Sequence, residues 1–280
     1  MREIDCAQIR DAVAGLCIRA NTVLDRQVEA SIRDARETEE SPVGRNILEQ
    51  LLENSRIARE DAIPICQDTG LAVVFVKLGQ EVHITGGSLA EAIHAGVAKG
   101  YTEGYLRKSV VRDPIDRVNT KDNTPAIIHY DIVPGDQITI TVAPKGIGSE
   151  NMSRIFMLKP SQGLEGIRQA VLDTVLAAGS NACPPLVIGV GVGGNFEKCA
   201  ELAKEALLRP IGQYSKDPAW KQVETDLLSA VNDLGIGPQG LGGRTTALWL
   251  AVETYPTHIG GMPVAVNLNC HVARHESCVL

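Results

Sequence analysis

Aromatic side chains are scarce in this chain: three Phe, two Trp and five Tyr among 280 residues, 4% of the total. Single-stranded nucleic acid is held by stacking bases on aromatic rings, so the composition argues against such a surface. Positive charge is also in deficit. Against 34 Asp and Glu stand 27 Lys and Arg, a formal net charge of -7. That speaks against a general binder of phosphate backbones. It leaves room for an anionic small substrate, because a few convergent arginines set the local field inside a cleft. No apolar run approaches the length of a membrane span. The N-terminus, MREIDCAQIRDAVAGLC, lacks the basic start and apolar run of a signal peptide, and the expected location is the cytoplasm. Cysteines number seven (6, 17, 66, 183, 199, 270 and 278), an odd and scattered set that suits reduced thiols better than a disulfide framework.

The chain is 44% hydrophobic and 22% charged, ordinary for a folded protein with a substantial core. Helical spacing of Ile9, Val13, Leu16, Ala20 and Leu24 predicts one or two helices over residues 4–35, with another at 44–57. A loop carrying PICQDTG leads into a strand at about 71–78. Residues 88–106 read as a helix with Ser88 as N-cap and Glu91 three residues on. Residues 107–124 are polar and read as loop. AIIHYDIV and QITITVA, separated by Pro-Gly-Asp, read as a hairpin. A helix at 163–178 comes next, then the strand LVIGVGVGG, the helix NFEKCAELAKEALL, and a helix at 217–233. RTTALWLAVETY suits either helix or strand. PVAVNLNC, 263–270, reads as the last strand, and Cys278 as part of a frayed tail. The mixture of helices and antiparallel strands predicts an α+β fold, with helices on mixed or antiparallel sheets and a site at strand and loop ends. No repeat or linker marks an internal boundary. Residues 1–280 are expected to form a single domain whose first 40 residues are helical.

Cys66, Cys183 and Cys270 share a setting: each lies at the end of an element, where a side chain projects into a cavity. Buried as small hydrophobes they would need no function. Cys6, Cys17 and Cys199, inside amphipathic helices, fit that description. Three thiolates on one centre would instead suit zinc or an iron–sulfur cluster, and a metal left with an open position can act as a Lewis acid.

The stretches PICQDTG, YLRKSVVRDP, KGIGSENMS, NACPP, GVGVGGNFEKCAELAKEALLRPIG, LGIGPQGLGGRTTAL and YPTHIGGMPVAVNLNCHVARH occur in order from Pro64 to His275, within a resemblance that runs from about residue 40 to 276. Together they resemble the α subunit of the iron–sulfur, class I fumarate hydratases, a family that includes the tartrate dehydratase α subunit. The resemblance implies a [4Fe-4S] cluster on Cys66, Cys183 and Cys270, with its fourth iron open to a dicarboxylate. It also implies that Gln67 and Asp68 approach the substrate, that Arg107 pairs with a carboxylate, and that Gly148 and His258 lie close to the ligand. The catalytic candidates are Asp68 and His258. Each has a plainer alternative: an Asx-type turn for Asp68, a solvated helix-end arginine, a turn glycine and a hydrogen-bonded structural histidine. Lys145, Arg244, Arg274 and His271 are further candidates.

The implied reaction is the reversible hydration of fumarate to (S)-malate, a step of the tricarboxylic acid cycle; tartrate or mesaconate dehydration is the alternative. No convincing general base is evident in the chain. The resemblance places it, with further cationic contacts, on a separate β subunit, so a homodimer or α2β2 assembly is expected. A zinc-stabilised, non-catalytic subunit is the rival of a different class. GVGVGG also matches a dinucleotide fingerprint, but no acidic strand end appears about twenty residues on.

Overall fold

In LVIGVGVGG, residues 186–194, apolar branched side chains and glycines alternate. Alternate residues of a strand point to opposite faces, so one face presents Leu186, Ile188, Val190 and Val192 and the other is cleared for close packing. The structure, a computed structural model, describes all residues from Met1 to Leu280. In chain order its elements are β1 (Arg2–Asp5), α1 (Cys6–Thr22), α2 (Arg26–Thr38), α3 (Pro42–Asp61), β2 (Leu71–Gly79), β3 (Val82–Thr85), α4 (Leu89–Glu103), β4 (Ile127–Val133), β5 (Ile138–Lys145), the single turn α5 (Ile147–Glu150), β6 (Arg154–Leu158), α6 (Gly163–Ala178), β7 (Leu186–Gly194), α7 (Phe196–Ala206), α8 (Pro218–Asn232), β8 (Ala247–Thr257), β9 (Met262–Asn269) and β10 (Glu276–Val279). The fold is α+β. The chain divides into two compact units, one made of Met1–Leu24, Ser55–Ile147 and Arg274–Leu280, the other of Asp25–Asn54 and Gly148–Ala273.

In the first unit a mixed sheet has the order β10-β5-β2-β4, and β1 pairs with β3 in a small parallel ribbon. Ile9, Val13 and Leu16 of α1 and Ile93, Val97 and Tyr101 of α4 share a core with Val74, Val76, Ile138 and Ile140 of the sheet. Each such side chain, fully buried, contributes about 1.5–3 kcal/mol relative to exposure. Ser88 occupies the N-cap position of α4, but its side chain makes no capping bond.

The strands flanking Pro-Gly-Asp do not form a hairpin. β2 lies between them, parallel to β4 and antiparallel to β5. A turn signal reports only that the chain reverses; it does not say whether a third strand fills the gap of about 10 Å left by skipping one neighbour. Here the gap is filled by the end of β2. Gly79 N donates to Gln137 O at 2.9 Å, and Gln80 N to Val133 O at 2.8 Å. A Cβ on Gly79 would stand 2.4 Å from Gly135 O, so only glycine fits inside that turn.

The C-terminus is likewise ordered rather than frayed. β10 pairs antiparallel with β5, placing Cys278 opposite Ile140, and it is this strand, not PVAVNLNC, that comes last. The pairing is long-range, and four residues carry too little pattern to announce it. Residues 107–124 are irregular apart from one bridge between Val111 and Asn119.

In the second unit a mixed sheet of order β6-β9-β7-β8 is covered on both faces. Ile188, Val190, Val171, Val175, Leu227 and Leu250 belong to one core, which joins α6 and α8 to the sheet. On the opposite face α7 brings Cys199 and Ala203 against Ala265. A Cβ on Gly191 would stand 2.0 Å from Cys199 O, and one on Gly189 2.1 Å from Ala203 O. These glycines lie inside β7 and let the helix backbone approach, a packing role that accounts for them without a nucleotide. RTTALWLAVETY resolves to strand: β8 runs parallel beside β7.

Candidate active site

Cys66 begins a tight turn in the first unit. Ile65, buried behind it, donates its N–H to Asn21 O at 2.9 Å, which ties the approach to α1. Asp68 N then points back at Cys66 Sγ, at 3.4 Å. Asp68 Oδ1 accepts from Gly70 N at 3.0 Å, and Oδ2 from Ile147 N at 2.8 Å. The Asx turn is therefore present, and it fixes the carboxylate at the lip of β2. Gln67 is exposed beside it.

Thr69 anchors the loop that begins at Arg107. Its hydroxyl accepts from Arg107 N at 2.9 Å and donates to Arg107 O at 3.2 Å, so Arg107, itself exposed, starts that loop against the turn. Asn123 closes the loop's other end: its amide donates to Gly70 O at 3.1 Å and its carbonyl accepts from Ser109 N at 2.7 Å. Tyr101 supports the turn from below, donating its hydroxyl to Thr69 O at 2.6 Å. Burial pushes its phenol well above the ordinary range, so it remains a neutral donor. Gly70, at φ 76, is pressed onto the backbone of Lys145, where a Cβ would stand 2.7 Å from Lys145 N. Arg274, 5% exposed, reaches from the chain's last segment to the carbonyls of Asp68 and Pro144. Gln67, Asp68, Arg107, Lys145 and Arg274 thus gather around one turn.

The second unit brings Cys183 and Cys270 close together through His271. His271 N donates to Cys183 O at 3.4 Å, and His271 Nδ1 lies 3.1 Å from the same carbonyl. Gln239 stands alongside, its side chain donating to Pro184 O at 2.8 Å. Cys183 is exposed and left-handed, at φ 53. Cys270 is half-buried at the end of β9. Gly148 lies beside the same loop: a Cβ there would meet only Asn181 O, at 3.5 Å, so neither space nor backbone demands glycine.

His258 is not part of this gathering. It is exposed on the turn between β8 and β9, where Nδ1 accepts from Gly260 N at 3.1 Å. Cys270 lies at the opposite end of β9, roughly 26 Å away along eight residues of strand. Sequence adjacency of the PTHIGG and NLNCH motifs hides that the strand between them is fully extended. Arg244 lies on the rim of a cavity of about 730 Å³ with Asp34 and Asp233, where Nη1 meets Glu40 at 3.1 Å.

The remaining cysteines sit in different surroundings. Burial pushes the Cys17 thiol up to about 12, and burial also raises Cys199 and Cys278. All seven are thiols. No three His, Cys, Asp or Glu side chains are gathered at the spacing of a single metal ion. A cluster in which each thiolate takes its own iron requires wider spacing. Thr69, Tyr101, Asn123 and Gln239 escape sequence reasoning. Only Thr69 carried a signal, as the hydroxyl within QDTG.

The sequence profile described as fumarate hydratase (Fumerase) matches residues 10–279. The chain belongs to this family. It is 40% identical over 273 residues to a Methanocaldococcus jannaschii protein described as a putative L(+)-tartrate dehydratase subunit alpha, with 95% of each chain covered. It is 31% identical over 277 residues to the L(+)-tartrate dehydratase subunit alpha of Escherichia coli K12, covering 98% of this chain and 91% of that one. Membership of the fumarate hydratase family makes the chain part of a hydro-lyase. No helix is long and apolar enough to cross a membrane.

Proposed function

We propose that residues 1–280 act as one α chain of an iron–sulfur hydro-lyase that hydrates fumarate reversibly to (S)-malate in the cytoplasm, together with a separate β subunit. The observation that carries this reading is the Cys66–Thr69 turn, where a sulfur, an amide and a carboxylate are presented among three cationic residues. The proposed cluster is [4Fe-4S], held by Cys66, Cys183 and Cys270. The donor set fits it: Cys66 accepts a main-chain N–H, and His271, the residue after Cys270, bonds through its backbone to Cys183 O. Cys17 and Cys199 are fully buried in helices, and burial raises both thiols, which disfavours their thiolates. When bound, the cluster supplies an open iron that acts as a Lewis acid toward the hydroxyl of the substrate.

The chain's own residues bind and orient. Arg107 offers a planar fork to one carboxylate. Gln67 and Asp68 face the ligand, Asp68 held rigid by its two main-chain donors, and the Gly148 backbone comes close to it. Positive charge around the turn stabilises the carbanion-like state that forms when the proton beside a carboxylate is removed. In the hydration direction water adds across the double bond, hydroxyl to one carbon and proton to the other. We assign the proton transfer to a group on the β subunit, with Asp68 as its counterpart here. His258, at the far end of β9, does not reach a ligand held at Cys270 of its own chain.

The names of the relatives favour a second substrate, L(+)-tartrate, and mesaconate has the same carboxylate pattern. Anaerobic reconstitution with iron, sulfide and a β chain, followed by assay of fumarate, tartrate and mesaconate, separates the three. Turnover of fumarate by the αβ pair and not by the isolated chain is the expected result. Full turnover by the chain alone refutes the subunit requirement. Stoichiometric zinc in place of iron and sulfide in anaerobically prepared protein refutes the cluster.

A further inference from the structure

Arg274 is an unusual charge. It is 5% exposed, and its hydrogen bonds go to main-chain carbonyls, Nε to Pro144 O at 3.4 Å and Nη2 to Asp68 O. Nη1 is buried with no partner. The Asp68 carboxylate, which is nearby, is engaged by Gly70 N and Ile147 N instead. A guanidinium in this position is costly. Removing an ion from water opposes folding unless a counter-charge meets it. Two carbonyls could be satisfied by a neutral donor, so holding the turn does not by itself explain a permanent cation. Two further cationic residues stand at the same turn as the Asp68 carboxylate. Lys145, 4% exposed, is the residue after Pro144, and Arg107 is bonded through its backbone to Thr69.

We propose that Arg274 is a positioning and charge-matching residue of this site: it clamps the Cys66–Asp68 turn to β5 and keeps a positive charge beneath it that selects ligands with two carboxylates over ligands with one. The inference rests on the dicarboxylate reading above and adds to it a residue that acts from behind the turn. With Nη1 closed to solvent, the selection works through charge and through the position of Asp68. The distinguishing property is sensitivity to ligand charge, which a purely structural clamp lacks.

The test uses the anaerobic, iron-loaded αβ enzyme and two non-reacting probes, succinate and succinamate. They differ in one carboxylate replaced by a neutral amide. Calorimetric titration gives the ratio of their affinities, alongside iron content and KM and kcat. Arg274→Gln is expected to weaken succinate at least tenfold, to change succinamate less than threefold, and to raise KM more than it lowers kcat. Arg274→Lys is expected to restore most of the preference. Equal weakening of both probes, or no weakening, overturns the proposal. If Arg274→Gln does not fold, Arg274→Lys decides. Retained iron with the wild-type preference supports the proposal, and retained iron without it, or failure of this variant to fold, overturns it. A wild-type enzyme with no preference for succinate sinks the dicarboxylate reading itself, an outcome visible before any variant is made.

Discussion

Glu39 shows how much a single buried carboxylate can organise. It is fully buried, and its two oxygens accept from four main-chain donors: Glu40 and Ser41 at 3.0 Å, Arg244 and Thr245 at 2.8 Å. Burial pushes the carboxyl up, and the N–H donors of Arg244, Ser41 and Thr245 outweigh it, leaving it below its ordinary value of 4.5. A carboxyl lowered in the folded state adds stability above its unfolded pKa, and that stability fades as pH falls through the folded value. Glu39→Gln presents an amide to N–H groups and is expected to cost about 2–3 kcal/mol at neutral pH. The gap between wild type and variant should narrow on titration from pH 7 toward pH 3, as measured by urea unfolding. A constant gap would show that the charge is not what matters. The cysteines divide at the same scale. Cys66→Ser, Cys183→Ser and Cys270→Ser are each expected to abolish iron and sulfide retention after anaerobic reconstitution. Cys17→Ser and Cys199→Ser, whose thiols are buried in helix packing, should retain it in whatever fraction folds. Iron loss in the second pair, or retention in the first, contradicts the assignment.

At the scale of elements, the decisive feature is how closely β7 and α7 approach. Gly191→Ala would drive a Cβ to 2.0 Å from Cys199 O, a backbone atom that cannot swing aside. Overpacking of this kind costs about 1–3 kcal/mol or more, and denaturant titration is expected to show a lowered midpoint at unchanged slope. Wild-type stability would mean that α7 is free to lift. The same elements show what periodicity can and cannot report. The helices at 44–57 and 163–178 and the strand at 71–78 were legible because each carries its own apolar spacing, and they match α3, α6 and β2 with ends shifted by a few residues. The false hairpin was legible for the wrong reason: β4 and β5 do run antiparallel, but strand partnership is a property of three segments and the pattern describes two. β1, β3 and β10, four residues each, were missed because nothing in so short a stretch distinguishes strand from loop until a neighbour supplies the hydrogen bonds.

At the scale of the whole molecule, the proposed reading gives this chain the binding and cluster-holding groups and leaves the general base to the β subunit. Iron held by three thiolates with one open position is exposed to oxidants, so the reconstituted αβ enzyme is expected to lose activity in air and to recover with iron, thiol and sulfide under anaerobic conditions. Activity indifferent to oxygen would argue against the cluster.

Composition and pattern alone determined that this is an α+β chain, and the ordered motifs placed it near the fumarate hydratases. Those properties are local or additive, so they survive without coordinates. Only the tertiary structure decided which candidates stand together. It set Arg107, Lys145 and Arg274 around the Cys66 turn, joined Cys183 to His271, and sent His258 to the other end of β9. Long-range pairing and the length of an extended strand govern those separations, and spacing along the chain records neither.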